Sequence, residues 1–296
     1  MGNTNSGSNK SAKRIRVGHH PHGNLRSNIV PEINTIIWHD YRRLAEIGGG
    51  KMGSICTAIK LERDQSSESS SETKKQYAIK EAIVAAKSKH FVECLRIEID
   101  ALKALDHPNI IKPHAVYFTR KSLYLVIQNC TGGNLYSGFK ADPSTGQKVP
   151  LSEKKTAEIV HQLLSAVAHM HSHGVCHRDI KFENVLFETE HPDSKIKVID
   201  FGIAQNVKVM YECCGTTYTM AREVLTLKGY TNKVDIWSVG VIVYMMLSLT
   251  KPFYGKNKLI ITNKIMKVSF GWWFIYVLYP VLLFNSTNVA LLKNMF

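Results

Sequence analysis

The chain has no CxxC pair and no Cys/His spacing suited to a metal. Its six cysteines, Cys56, Cys94, Cys130, Cys176, Cys213 and Cys214, are therefore expected as reduced thiols of a cytosolic protein. The adjacent Cys213 and Cys214 read as packing rather than redox chemistry. No D-x-[DN]-x-[DN]-G loop occurs, which argues against an EF-hand calcium site. The polar N-terminus has no apolar leader, so no secretory signal is expected. Acids are missing before Glu32, while Lys10, Lys13, Arg14, Arg16 and Arg26 lie there. Charge is missing from Val268 to Leu292, a stretch that contains the apolar run Phe270 to Phe284. That run is interrupted by Pro280 and falls short of the roughly 20 residues a membrane span needs.

What is there suffices for a large core. The 296 residues are 44% hydrophobic and 21% charged, enough for one two-lobed domain or two domains. A net charge of +14 favours phosphates, anionic lipid or nucleic acid as partners, or forms a solvated basic face. Nucleic acid has only this charge behind it and is not expected. The start Met1-Gly2-Asn3-Thr4-Asn5-Ser6 fits the pattern for N-myristoylation at Gly2. One acyl chain binds membranes marginally, and the basic residues that follow would act as a second signal. Reversible association with the cytoplasmic face of a membrane is the resulting expectation; a plain basic tail is its alternative.

Residues 1–37 are rich in Gly, Asn, Ser, His and Lys and read as a disordered tail. Strands are expected at Tyr41 to Ile47, Ser54 to Leu61, Gln76 to Glu81, Ser122 to Gln128 and Lys195 to Ile199. Asp64 to Lys75, with its serine-rich centre, reads as a polar hairpin insert. Phe91, Leu95, Ile99 and Leu102 recur at helical spacing within Lys87 to Leu105. Ser152 to His173 reads as a helix with Ser152 as its N-cap. Asp235 to Leu249 is nearly all apolar, which implies a buried helix. Strands with one helix, followed mostly by helices, give an α+β fold of two unlike lobes.

Three segments lie in order: His177-Arg178-Asp179-Ile180-Lys181-Phe182-Glu183-Asn184, Asp200-Phe201-Gly202 and Ala221-Arg222-Glu223. Upstream stand Tyr77-Ala78-Ile79-Lys80 and Glu46 to Ile55, which matches G-x-G-x-x-G-x-V with Ile55 for Val. Glycines let backbone N–H groups approach phosphates without a Cβ in the way. Strand residues follow this loop, so a hairpin lid fits better than a dinucleotide site, which needs a helix there.

Together these motifs resemble the protein kinase family, over about residues 41 to 267. The resemblance implies a bilobal fold: a β-rich N-lobe over 38–128, and a helical C-lobe over 129–267 that lacks the family's last helices. It implies ATP and Mg²⁺ as cofactors. Ile47, Gly48, Gly50, Gly53, Ile55, Ala78 and Leu186 would line the nucleotide site. Lys80 would contact the α- and β-phosphates, held by Glu98. Backbone groups of Gln128 and Cys130 would meet the adenine edge, with Ile127 at the back of the pocket. Asp179 would act as base, Lys181 would balance charge, and Asn184 and Asp200 would hold Mg²⁺. Lys181 with Thr216 looks like the serine/threonine branch. His177 and Phe201 read as packing.

Glu212 stands where many kinases carry an activating phosphothreonine, and could pair permanently with Arg178. This position, the Gly2 pattern and Lys251 to Gly255 resemble calcium-dependent protein kinases. Several positions depart from the family. Asn134 replaces an acid, Phe182 replaces a Pro, and Arg222 replaces the Pro before Glu223. Residues 268–296 do not continue the family pattern, so Glu223 would lose its usual Arg partner. Three origins compete for them: a segment packed on the lobe, a membrane-associated tail, or a translated intron. Val268-Ser269 can be encoded by a splice-donor-like GTAAGT where the pattern stops, which favours the intron. The expected function is phosphoryl transfer to protein Ser/Thr hydroxyls. A catalytically silent scaffold is the rival, because the lobe is incomplete.

Overall fold

β-Branched and aromatic residues build six strands in the first half and two in the second: β1 (Glu32–Ile33), β2 (Tyr41–Gly50), β3 (Gly53–Lys60), β4 (Gln76–Ile83), β5 (Pro113–Phe118), β6 (Ser122–Gln128), β7 (Val185–Phe187) and β8 (Ile196–Val198). The computed structural model describes residues 32, 33, 36–50, 53–61, 75–84, 88–205 and 209–268. Gly2 and the basic tail, the loop tip Lys51-Met52, the serine-rich insert and the segment from Ser269 onward lie outside them. Six strands form one sheet in the order β1-β5-β6-β4-β3-β2, and β7 pairs antiparallel with β8.

At β6 the large sheet is buried on both faces, which explains the unbroken apolar run of that strand. Side chains alternate across a strand. Leu123 and Leu125 face the main core with Ile99 and Leu102 of helix α1 (Lys89–Ala104). Tyr124 and Val126 face a second core with Ile37, Tyr41, Ile79 and Tyr117. Residues 32, 33 and 37 were expected in the tail but belong to the fold. Glu32 and Ile33 pair in parallel with Val116 and Tyr117, and Ile37 is fully buried. Two strand residues give too short a pattern to read, and their pairing partners, Val116 and Tyr117, are far away in sequence.

The large lobe is helical. Helix α2 (Glu153–Ser172) starts at Ser152, whose hydroxyl accepts the Lys155 N–H at 3.2 Å, the N-cap the sequence suggests. Helix α3 (Arg222–Thr226) is short. Helix α4 (Lys233–Ser248) runs through the core, buried on every side as its composition requires, and packs against α2. Trp237 of α4 stacks on Phe253, with ring centroids 5.9 Å apart. The described chain then forms α5 (Lys258–Met266), capped by the Asn257 side chain, which accepts the Ile260 N–H at 3.0 Å. The α+β, two-lobed fold is as expected.

Candidate active site

On the small-lobe side the site begins with the β2–β3 hairpin, where Gly50 pairs with Gly53. Gly53 has φ +145°, and a Cβ there would overlap the Glu81 carbonyl oxygen, so only glycine fits. A Cβ on Gly48 would meet nothing, so the surface beneath it is open. Lys80 projects from β4 and Glu98 from the buried face of α1. Lys80 Nζ donates to both Glu98 oxygens at 2.7 Å. Burial works against the ammonium, but the Glu98 and then the Asp200 charge outweigh it, and Lys80 is held above its ordinary value.

The strand β6 leads into the segment joining the lobes. The Gln128 N–H is already donated to the Lys112 carbonyl at 3.0 Å. Ala78 stands opposite Ile127 in the sheet, and Ile55 opposite Lys80. Leu186 lies in β7 of the large lobe, and Ile47 is an exposed residue of β2.

The large-lobe loop is held from below. Arg178 has φ +67°, a left-handed conformation that costs energy for a residue with a Cβ. Asp235, fully buried in α4, compensates. One carboxylate oxygen accepts the His177 N–H and the other the Arg178 N–H, each at 2.9 Å. His171 Nε2 also reaches Asp235, at 2.8 Å. Burial alone would raise the Asp235 carboxyl; the hydrogen bond with His171 and that from the His177 N–H help outweigh it and hold it below its ordinary value. His177 is fully buried, its ring 4.9 Å from that of fully buried Phe201, and both pack as expected.

This support presents Asp179. Its Oδ2 accepts from Lys181 Nζ at 2.7 Å and its Oδ1 from the Thr216 hydroxyl at 2.7 Å. Lys181 Nζ also reaches Thr216 at 3.1 Å, closing a triangle. Asn184 Nδ2 donates to the Asp179 carbonyl at 2.9 Å, and no donor among the described residues reaches its Oδ1. Asp200, at φ +66°, places its carboxylate 3.9 Å from Lys80 across the cleft. An amide oxygen and a carboxylate left open beside a lysine suit a hard oxygen-seeking cation and the phosphates it bridges. The residues present therefore fit ATP with Mg²⁺. Lys80, Glu98, Asp179, Lys181, Asn184, Asp200 and Thr216, distant in sequence, converge here.

The family description "Protein kinase domain" matches residues 41–277. The chain belongs to the protein kinase family. This kinase is 38% identical over 253 residues to calcium-dependent protein kinase 5 of Plasmodium berghei (strain Anka), covering 83% of the chain and 42% of that relative. It is 36% identical over 202 residues to myosin light chain kinase A of Dictyostelium discoideum, with 67% of the chain and 66% of the relative covered. Against calcium/calmodulin-dependent protein kinase type IV of Homo sapiens it is 38% identical over 188 residues, 62% of the chain and 38% of the relative. The chain thus spans only part of the curated relatives it matches.

The departures of this kinase from its family pattern have local accounts. Phe182 is buried, its ring 4.8 Å from Tyr136 and 5.9 Å from Phe139, so an aromatic cluster occupies the place of the usual proline. Asn134 caps the turn after it, accepting the Tyr136 N–H at 3.0 Å. Arg222 is exposed at the start of α3. No cation of the described residues pairs with Glu223. The sequence reading missed Asp235 and Tyr230 as supports of the loop. A lone carboxylate opening an apolar helix was the available signal for the first, since a buried charge must find partners.

Proposed function

We propose that this kinase transfers the γ-phosphoryl group of MgATP to serine or threonine hydroxyls of proteins. The observation that carries the reading is the triangle of Asp179, Lys181 and Thr216. Bound ATP and Mg²⁺ supply the phosphoryl group and a charge that steadies its transfer. Lys80, held by Glu98, binds the phosphates nearest the adenosine. Asn184 Oδ1 and the Asp200 carboxylate would hold the metal. Asp179 orients the substrate hydroxyl and accepts its proton at the carboxylate. Lys181 sits 2.7 Å from that carboxylate and places a positive charge beside the departing phosphoryl oxygens. Thr216 fixes the lysine and carboxylate relative to each other, so positioning is complete before substrate arrives.

The protein acts in the cytoplasm in this reading. Acylation at Gly2 with the basic residues after it gives reversible contact with a membrane. The kinase reading is tested with radiolabelled ATP and a mixed Ser/Thr peptide library, on the wild type and on Asp179→Asn. Phosphoserine and phosphothreonine from the wild type alone are expected. Folded wild-type protein that labels nothing would leave the scaffold reading in place.

A further inference from the structure

Beyond the cleft, one surface stands out for what it exposes. Helix α5 turns Ile265 inward, fully buried. At 100° per residue, Leu259, Ile260, Asn263, Lys264 and Lys267 fall on the opposite side. Leu259 is 68% exposed and Ile260 38%, and the adjoining Tyr254 is 68% exposed. Lys264 and Lys267 lie on this side with them, and Lys256 and Lys258 flank Leu259 and Ile260 in sequence; all four lysines are exposed. Lys264 Nζ lies 4.0 Å from the Tyr254 ring centroid. None of the four lysines pairs with an acid of the described residues. No acid occurs anywhere after Asp235 in the sequence.

We propose that this outward face of α5 seats on an anionic lipid surface. Apolar tips surrounded by lysines match the headgroup boundary, where side chains enter the acyl edge and ammonium groups meet lipid phosphates. The lysine stems reach outward while their apolar neighbours dip in. An acid-free region of this size carries no repulsion towards negative headgroups. Exposed apolar side chains next to unpaired lysines, with no acid to bind a basic partner, match a negatively charged apolar boundary. The sequence directly after α5 continues uncharged and apolar from Phe270 to Phe284. No helix of the described residues is long and apolar enough to cross a membrane.

Flotation with vesicles tests the seat without ATP, so it stands or falls apart from the kinase reading. The full chain is prepared without an acyl group and mixed with vesicles of phosphatidylcholine alone, or with 30% phosphatidylserine (about that fraction suffices for a strong surface potential). Two double variants are compared, Leu259→Ser with Ile260→Ser, and Lys264→Glu with Lys267→Glu. All four sites are exposed, and melting temperature and circular dichroism of each variant should equal the wild type. Wild-type protein should float only with the serine lipid, and less at high salt. Each double variant should lower partitioning roughly tenfold or more. Lys264→Arg with Lys267→Arg should float like the wild type. Wild-type protein that stays in solution overturns the proposal. So do variants that float as well as the wild type, which would assign binding to the termini. A change in self-association with no change in flotation would assign the face to a second copy instead, and also overturns it.

Discussion

Arg178 Nη1 donates to Glu212 Oε2 at 3.2 Å, joining the loop that carries Asp179 to the segment after Asp200. The guanidinium is nearly buried and further fixed by the Ile203 carbonyl at 2.6 Å, while Glu212 is 71% exposed. Tyr230 braces the same corner, its hydroxyl donating to the Glu212 carbonyl at 2.7 Å. A permanent carboxylate thus gives this arginine a negatively charged partner without an added phosphate. The unphosphorylated protein should be active. Glu212→Ala should lower kcat about tenfold while changing stability by under about 1 kcal/mol, because the acid is solvated. Glu212→Asp should retain more activity than Glu212→Ala. Equal rates for Glu212→Ala and wild type, with unchanged protease sensitivity around residue 212, would remove the argument.

The Lys80–Glu98 pair makes a different prediction, because here both partners are shielded, 14% and 5% exposed. Removing one partner leaves a charge in a poorly solvating place. Lys80→Met and Glu98→Ala should each cost about 3–5 kcal/mol of stability, whereas a solvated pair would cost under 1. Glu98→Gln keeps the shape and one acceptor and should cost less, while raising the KM for ATP as Lys80 swings towards Asp200. Chemical denaturation and ATP titration separate the two effects.

Asp235 ties the fold to the chemistry. Its carboxylate meets two backbone N–H groups at the strained Arg178 turn, directly before Asp179. Asp235→Ala should unfold about 3 kcal/mol more easily, since two buried donors lose their acceptor. Asp235→Asn can accept only one of the two bonds on its oxygen, so it should fold but place Asp179 poorly. A fall in kcat with little change in KM for ATP is expected.

Much of this was legible before any coordinates. Helix α2 announced itself through its N-cap and apolar period, and α4 through its uniform hydrophobicity. Lys80, Asp179, Asn184 and Asp200 stood in recognisable motifs, and their roles came from the resemblance. Less visible were β1, two residues whose pairing depends on Val116 and Tyr117, and α5, only nine residues long with its burial confined to one side. Asp235 was read as the start of a helix. Its true partners are backbone groups some 57 residues earlier, and no local pattern encodes such a contact. Tyr230 had no signal either, since a single tyrosine is more often core than a brace.

Acid should loosen the junction beneath α1 before it reaches the carboxylates. His107 Nδ1 accepts the Asn109 N–H at 3.1 Å, and its Nε2 lies 3.0 Å from Ser165 Oγ of α2. The ring is therefore neutral, with Nε2 carrying the hydrogen. Burial, with His169 5.1 Å away, lowers its pKa from 6.5 to about 4. The unfolded chain then binds a proton between about pH 6.5 and 4 that the folded chain refuses. Stability from this group is fully present above pH 6.5 and is lost as pH falls through about 4. The loss should be about 1–2 kcal/mol, less than the full shift implies because solvent reaches part of the ring. His107→Gln cannot take up the proton. Its denaturation midpoint should lie below wild type at pH 7.5, and the gap should narrow by that amount by pH 4.5. A constant gap across that range would mean that His107 takes up its proton equally readily in both states.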